Sequence, residues 1–497
     1  MRRTCTRATR SKHLLLFDNV SVRNWIIFAF SGLLFGFSEV AAAAQTRLEA
    51  HVSYNEDSLL LGGGGAASSG GPYIASRAPI EPADATPVAP ATPESSPAFN
   101  AAEYWDALAD LNLSALRNSA EGDVQQGFAR GMSLLADGDT EGAERAFIAG
   151  GEQRSDANVG IASQIMLATT LLYEHKWAEL RAFALSPQLS PSDKDILHDY
   201  QRWGFAFANV EPQRVSMSVD SALMPLRLSP IGTPTIKVRI NGKLYDFWLD
   251  TGSSITVLNS DVAKEIGAAL LSSENLAVRT FGGSAPVKAS FVRRIEIGPL
   301  LLENTPAVIV DAAHMVLKPA PDRPRGAGMR IDGIIGWDTI RQLDLLLDYT
   351  GGLLEIRRPI REGYSPHNLT WMGKPFVEVR TKRGETLHLT LDTGAQASFL
   401  NALALDRTGA TSTSSENIVF GIAGTGTRAD KVIRALRLDV GGTQVSLEGV
   451  MVYGPKYSGM INCDGILGSD VARFGTIRID ATNGVFAVGL NPLREYD

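Results

Sequence analysis

Two carboxylates stand out because each sits in the same small setting. Asp250 lies in the run Leu249-Asp250-Thr251-Gly252-Ser253 and Asp392 in Leu391-Asp392-Thr393-Gly394-Ala395, and each copy runs on to an asparagine, Asn259 or Asn401. A lone Asp-Thr-Gly is a common turn tripeptide and carries little. Two copies open a chemistry that one lacks. Carboxylates brought together share one proton, so the ionised one takes a proton from water while the protonated one donates to a carbonyl oxygen. Gly252 and Gly394 would let the backbone turn tightly and aim amide N–H groups at the carboxylates. Thr251 and Thr393 would hydrogen-bond across the axis relating the loops. The bland alternative is two Asp turns that end strands and do no chemistry.

The elements that must position these loops recur in the same order. Gly267 follows Asp250 by the same 17 residues that separate Gly409 from Asp392, and the Gly-rich turns at Gly282 and Gly424 each lie 32 residues on. "IEIG" ending at Gly298 corresponds to "LDVG" ending at Gly441, and "DGIIGWD" (332–338) to "DGILGSD" (464–470). "LDYTGG" around Asp348 and "IDATNG" around Asp480 follow those segments at equal spacing. Before each Asp-Thr-Gly come two alternating runs about a Gly turn, "TIKVRINGKLYDFWLDTG" and "FVEVRTKRGETLHLTLDTG", the pattern of a β-hairpin. Residues 230–360 and 372–490 therefore read as two copies of one all-β fold.

This series resembles the retropepsin/pepsin class of aspartic peptidases. It is most similar to bacterial retropepsin-like proteins with an N-terminal export signal, here with two such domains fused in one chain. Leu249–Gly252 and Leu391–Gly394 match the family's active-site loop, and Ile334-Ile335-Gly336 and Ile466-Leu467-Gly468 match the strand that crosses behind it. The resemblance implies hydrolysis of peptide bonds in a peptide or protein substrate by a water activated between Asp250 and Asp392, with no cofactor and no metal. It implies flap and substrate-binding residues Phe281, Gly282 and Gly283 in "TFGGSA", and Ala423, Gly424 and Thr425 in "IAGTGT". Neither flap segment has the Tyr seen in pepsins at this position. That departure keeps open an inactive peptide- or protein-binding protein; lobes that pair between chains are a second alternative. One asymmetry carries an expectation. A Ser253 hydroxyl donating to Asp250 would favour its ionised form, and Ala395 offers no such donor, so Asp392 would hold the shared proton.

At 497 residues the chain needs several domains. A net charge of −7 gives no reason to expect nucleic acid as a partner. Cys5 and Cys463 are too few and too far apart for a disulfide framework or a Cys-based zinc site. The histidines show no His-Glu-x-x-His spacing, and no Gly-x-Ser-x-Gly elbow occurs.

Residues 1–44 are basic, then apolar over "WIIFAFSGLLFGF", then small at Ala42 and Ala44. That is the order of a secretory signal peptide, which places the rest outside the cytoplasm, periplasmic in a bacterium; the alternative is an uncleaved membrane anchor. Residues 45–100 read as a Gly/Ala/Pro-rich linker. Residues 101–211 read as helical, and Gly131, Ala143 and Phe147 keep a small–large spacing that resembles a tetratricopeptide repeat, with a more degenerate pair over 162–184. A generic helical hairpin and a partner-binding repeat array both fit. The lobes are expected at 212–360 and 361–497.

Overall fold

In the computed structural model the described residues are 26–27 and 100–490, apart from 153–156, 184–190, 272–275, 281–282, 318–328, 362–366, 415–417, 421–425, 429–430, 454–459 and 474. The expected export signal and linker thus lie outside the described residues, save Ile26–Ile27 and Asn100.

Seven helices follow Asn100: α1 (Ala101–Ala109), α2 (Leu113–Asn118), α3 (Gly122–Ala136), α4 (Thr140–Glu152), α5 (Ala157–Tyr173), α6 (Trp177–Arg181) and α7 (Pro191–Phe207). Asn100 and Asn112 cap the first two, their side chains accepting from the amides of Glu103 and Ala115. Helices α3 and α4 pack through the small and large residues evident in the sequence. A Cβ on Gly131 would stand 2.5 Å from the Phe147 ring, and Ala143 is buried beside it. Helix α5 is different in kind, because every residue from Val159 to Tyr173 is buried. A helix apolar all round belongs in a core rather than on a groove. Its buried Thr169 and Thr170 satisfy their hydroxyls on the carbonyls of Ile165 and Met166.

From Arg214 onward the chain is mostly strands, with short helical turns between them. In the first lobe Pro234–Ile240, Lys243–Leu249, Gly333–Ile335, Thr256–Asn259, Leu300–Val310 and Lys288–Ile297 pair in that order, and the last returns to the first to close a barrel. In the second lobe Pro375–Thr381, Thr386–Leu391, Gly465–Leu467, Phe399–Asn401, Thr443–Tyr453 and Lys431–Val440 close through the same cycle of neighbours. The duplicated landmarks therefore mark one topology laid down twice. Apolar residues alternate inward along these strands, as in Pro234–Ile240 with its pattern of buried and exposed positions.

A five-stranded sheet joins the lobes, in the order Val485–Leu490, Gly475–Asp480, Asp344–Asp348, Leu353–Arg357 and Ser221–Pro225. The repeated "LDYTGG" and "IDATNG" segments are its two hairpins, and they meet along an antiparallel seam with Asp344 opposite Asp480 and Leu346 opposite Arg478. Here the copies stop being equivalent. Arg478 of the second lobe donates to both carboxylate oxygens of Asp344 in the first, at 2.9 and 3.0 Å, and to Asp480 at 3.0 Å. Both aspartates are buried.

Among the described residues no helix is long and apolar enough to cross a membrane. Residues Ile26–Ile27 form a short strand paired in parallel with Val419–Phe420 of the second lobe.

Removing Arg478 takes both side-chain donors from the buried Asp344 carboxylate and one from Asp480, which keeps those of Asn483. Arg478→Met is expected to lower the unfolding free energy by about 3–5 kcal/mol, read from urea denaturation. A loss below about 1 kcal/mol would show that the seam does not depend on this cation.

Candidate active site

Strands Lys243–Leu249 and Thr386–Leu391 end at Asp250 and Asp392. Each runs parallel to the short strand of its own Asp-Gly-Ile segment. Asp250 N–H donates to Ile335 O at 3.1 Å, and Asp392 N–H to Leu467 O at 3.0 Å, so that strand fixes where each aspartate emerges. The glycine after it is needed for close approach: a Cβ on Gly336 would lie 2.6 Å from the Ile255 carbonyl carbon, and one on Gly468 2.7 Å from that of Ala397.

The two loops interlock. Thr251 Oγ1 donates to Leu391 O at 2.9 Å and accepts from Thr393 N–H at 3.0 Å; Thr393 Oγ1 donates to Leu249 O at 2.7 Å and accepts from Thr251 N–H at 3.1 Å. Both threonines are buried, so each bond lacks competition from water. The glycines serve contact rather than unusual backbone angles, since neither is among the positive-φ glycines. A Cβ on Gly252 would stand 2.5 Å from the Asp392 carboxyl carbon, and one on Gly394 2.4 Å from that of Asp250. Each lobe's glycine makes room for the other lobe's aspartate.

Asp250 and Asp392 are almost wholly out of water, at 0% and 1% exposure. Gly252 N–H donates to Asp250 Oδ1 at 2.9 Å, and Ala395 N–H to Asp392 Oδ1 at 2.8 Å. The Oδ2 atoms of both receive no other donor among the described residues. The carboxyls stand within hydrogen-bonding reach of each other. Burial raises Asp250 to about 7, against the opposing amides of Gly252, Gly394 and Ser253. Burial raises Asp392 well above the usual carboxylate range, and the negative charge of Asp250 raises it further. Both carboxyls are thus held above the usual carboxylate range and titrate as one pair.

The hydroxyl of Ser253 has no part in this. It donates to Ile255 O at 2.8 Å, so the expected bond to Asp250 is not made. The acceptor it takes is a carbonyl two residues on, a common local bond for a serine in a turn. The donors that the two carboxyls do receive are backbone amides, of Gly252 and Ala395.

Thr251, Gly252, Ser253, Thr393, Gly394 and Ala395 thus surround the pair as one constellation. Of the flap residues, Phe281, Gly282, Ala423, Gly424 and Thr425 lie outside the described residues, and Gly283 opens a strand. Hairpins Ala277–Thr280/Gly283–Pro286 and Ile418–Phe420/Gly426–Arg428 flank those segments in the two lobes. Trp248 and Trp337 are core residues, fully buried.

Several supporting residues have no role that their local sequence announces. Ser469 Oγ donates to Thr393 O at 2.6 Å. Asp470 accepts from the amide and hydroxyl of Ser398 at 2.9 and 2.6 Å, and Asp338 accepts from the amide of Thr256 at 3.4 Å. These aspartates close the two "DGI" segments, so their recurrence was the available signal.

Residues 236–339 match the protein family described as Aspartyl protease. Among solved structures, the aspartic proteinase from Irpex lacteus is similar at 12% identity and a TM-score of 0.34, over 54% of this chain and 96% of that one. A retropepsin-like aspartic protease from Rickettsia conorii is similar at 16% identity and a TM-score of 0.20, over 30% of this chain and 95% of that one. No curated protein matches the sequence.

Two consequences can be measured. Gly394→Ala forces a methyl group into the Asp250 carboxyl and is expected to cost about 1–3 kcal/mol of stability by overpacking. Because the pair's folded pKa values lie above the unfolded ones, the folded state holds extra protons. Stability is therefore expected to fall as pH rises from about 4 through 7, and the fall to be shallower in Asp392→Asn. Urea midpoints across that range check both, and equal slopes in the two proteins would contradict the shared proton.

Proposed function

We propose that this chain is an aspartic endopeptidase whose single active site is the Asp250/Asp392 pair between its two lobes. The observation that carries this reading is the reciprocal lodging of each aspartate against the other lobe's glycine within one chain. The ionised Asp250 takes a proton from water as the water oxygen attacks the peptide carbonyl carbon. The Asp392 proton goes to the carbonyl oxygen. In the tetrahedral intermediate one hydroxyl returns its proton to Asp392, Asp250 gives the proton it took from water to the amide nitrogen, and the C–N bond breaks to release acid and amine. Exclusion of water keeps the pair monoprotonated and its electrostatics strong.

An extended peptide is the substrate class that suits two hairpins, one in each lobe, whose strand edges can pair with an added strand. The parallel pairing of Ile26–Ile27 with Val419–Phe420 supports this, since that hairpin edge accepts an extended apolar segment. The α3–α4 hairpin, closed by Gly131 against Phe147, supports a tetratricopeptide-like helix pair. On the basic–apolar–small order of residues 1–44 we place the mature protein outside the cytoplasm, beginning after Ala44; the intact mass of the exported protein checks this.

A peptide library digested from acid to neutral pH tests the activity. Asp250→Asn and Asp392→Asn are each expected to lose at least about a thousand-fold in kcat/KM. Both limbs of the wild-type kcat/KM profile are expected above the ordinary carboxylate range, the acid limb from protonation of Asp250 and the alkaline limb from loss of the Asp392 proton. Cleavage that survives in either variant would overturn the paired mechanism. Ala395→Ser is expected to leave the acid limb in place, because the matching hydroxyl of Ser253 faces a carbonyl.

A further inference from the structure

The helical region touches both lobes where α5 ends, and there it meets the first active-site loop. Tyr173, the last residue of α5, is 4% exposed, and its hydroxyl donates to Gly373 O of the second lobe at 3.1 Å. The same oxygen is hydrogen-bonded to the Ser254 side chain in the first active-site loop. A phenol has one proton, and here it goes to the Gly373 carbonyl, so the Ser254 hydroxyl is the donor in the second bond. Ser254 is two residues beyond Gly252. Gly373 sits in the turn between Leu369–Trp371 and Pro375–Thr381, and the latter strand pairs with Thr386–Leu391, which ends at Asp392.

The tyrosine is itself held from both sides. Its ring meets Trp371 of the second lobe edge-on at 4.7 Å between centroids. Arg341 of the first lobe donates to Tyr173 O, pairs with Glu174 at 3.0 Å, and stacks over Trp371 at 5.8 Å. A second point of contact lies at the other end of the helical region, where Asn462 N–H donates to Ala109 O at 2.7 Å and its side chain to Asp110 at 3.1 Å.

We propose that Tyr173 is a positioning residue for the dyad, and that the helical region is thereby part of the catalytic scaffold rather than only a recruitment module. Through Ser254 and Gly373 it sets the spacing of the two loops that carry Asp250 and Asp392. The proposal rests on the peptidase reading for its kinetic consequence but not for its structural one.

Tyr173→Phe removes the hydroxyl and keeps the ring. It is expected to lower kcat about tenfold with KM within about twofold, since the reacting groups are misplaced while the substrate surface is untouched. Ser254→Ala breaks the same tie from the other side without altering the helical region. The double variant is expected to be no slower than the worse single one. Amide hydrogen exchange is expected to rise at residues 251–256 in both variants and to stay unchanged in the seam strands Asp344–Asp348 and Gly475–Asp480. Additive kinetic losses, or unchanged exchange at 251–256, would overturn the proposal. If the wild type cleaves nothing, the peptidase reading fails, and the exchange data still decide whether the tie exists. Should Tyr173→Phe fail to fold, the exchange rates and kcat of Ser254→Ala decide between the same two outcomes.

Discussion

Two carboxyls that share a proton must meet in a dry place, and each lobe supplies one, Asp250 or Asp392. The rest of the molecule is organised around that constraint. The four hydrogen bonds between the Thr251 and Thr393 loops fix the meeting point, and Gly252 and Gly394 allow the carboxyls to close on the opposite loop. Neither feature exists within a lobe alone. Burial of like charges would be prohibitive if both ionised, so the closed arrangement keeps at least one proton on the pair.

Three layers hold that arrangement. The nearest is the pair of strands at Gly333–Ile335 and Gly465–Leu467, which receive the aspartate amides. Beyond them the five-stranded seam binds the lobes edge to edge, with Arg478 reaching across to Asp344. Outermost, α5 sits as a buried rod whose end reaches both lobes through Tyr173. A helix with no polar face contributes by filling space, and here that space abuts the first active-site loop.

Much of this was legible because the chain repeats itself. Two copies of Asp-Thr-Gly, of the Asp-Gly-Ile strand and of the hairpin after it are enough to lay down one barrel twice, since each landmark is a backbone requirement rather than a surface preference. What stayed hidden depends on where the copies differ or on contacts between distant segments. Arg478 occupies the place of Leu346 in the other copy, and nothing local says that it will cross the seam. Ser253 next to an aspartate looks like a donor to it, but in three dimensions its hydroxyl donates to Ile255 O. Gly252 and Gly394 are special as their repetition suggests, although for close approach and not for a left-handed turn. Tyr173 belongs to a different fold segment altogether, so no spacing rule connects it to Ser254.

The central claim is that one chain contains one complete site that recognises a tetrahedral carbon between two carboxyls. Isothermal titration with a peptide in which a secondary alcohol replaces the scissile carbonyl tests it most directly, because such a ligand resembles the transition state rather than the substrate. One ligand is predicted to bind per monomeric chain, at least about a hundred-fold more tightly than the parent peptide. Binding of one ligand per two chains, or no preference for the alcohol, would contradict it.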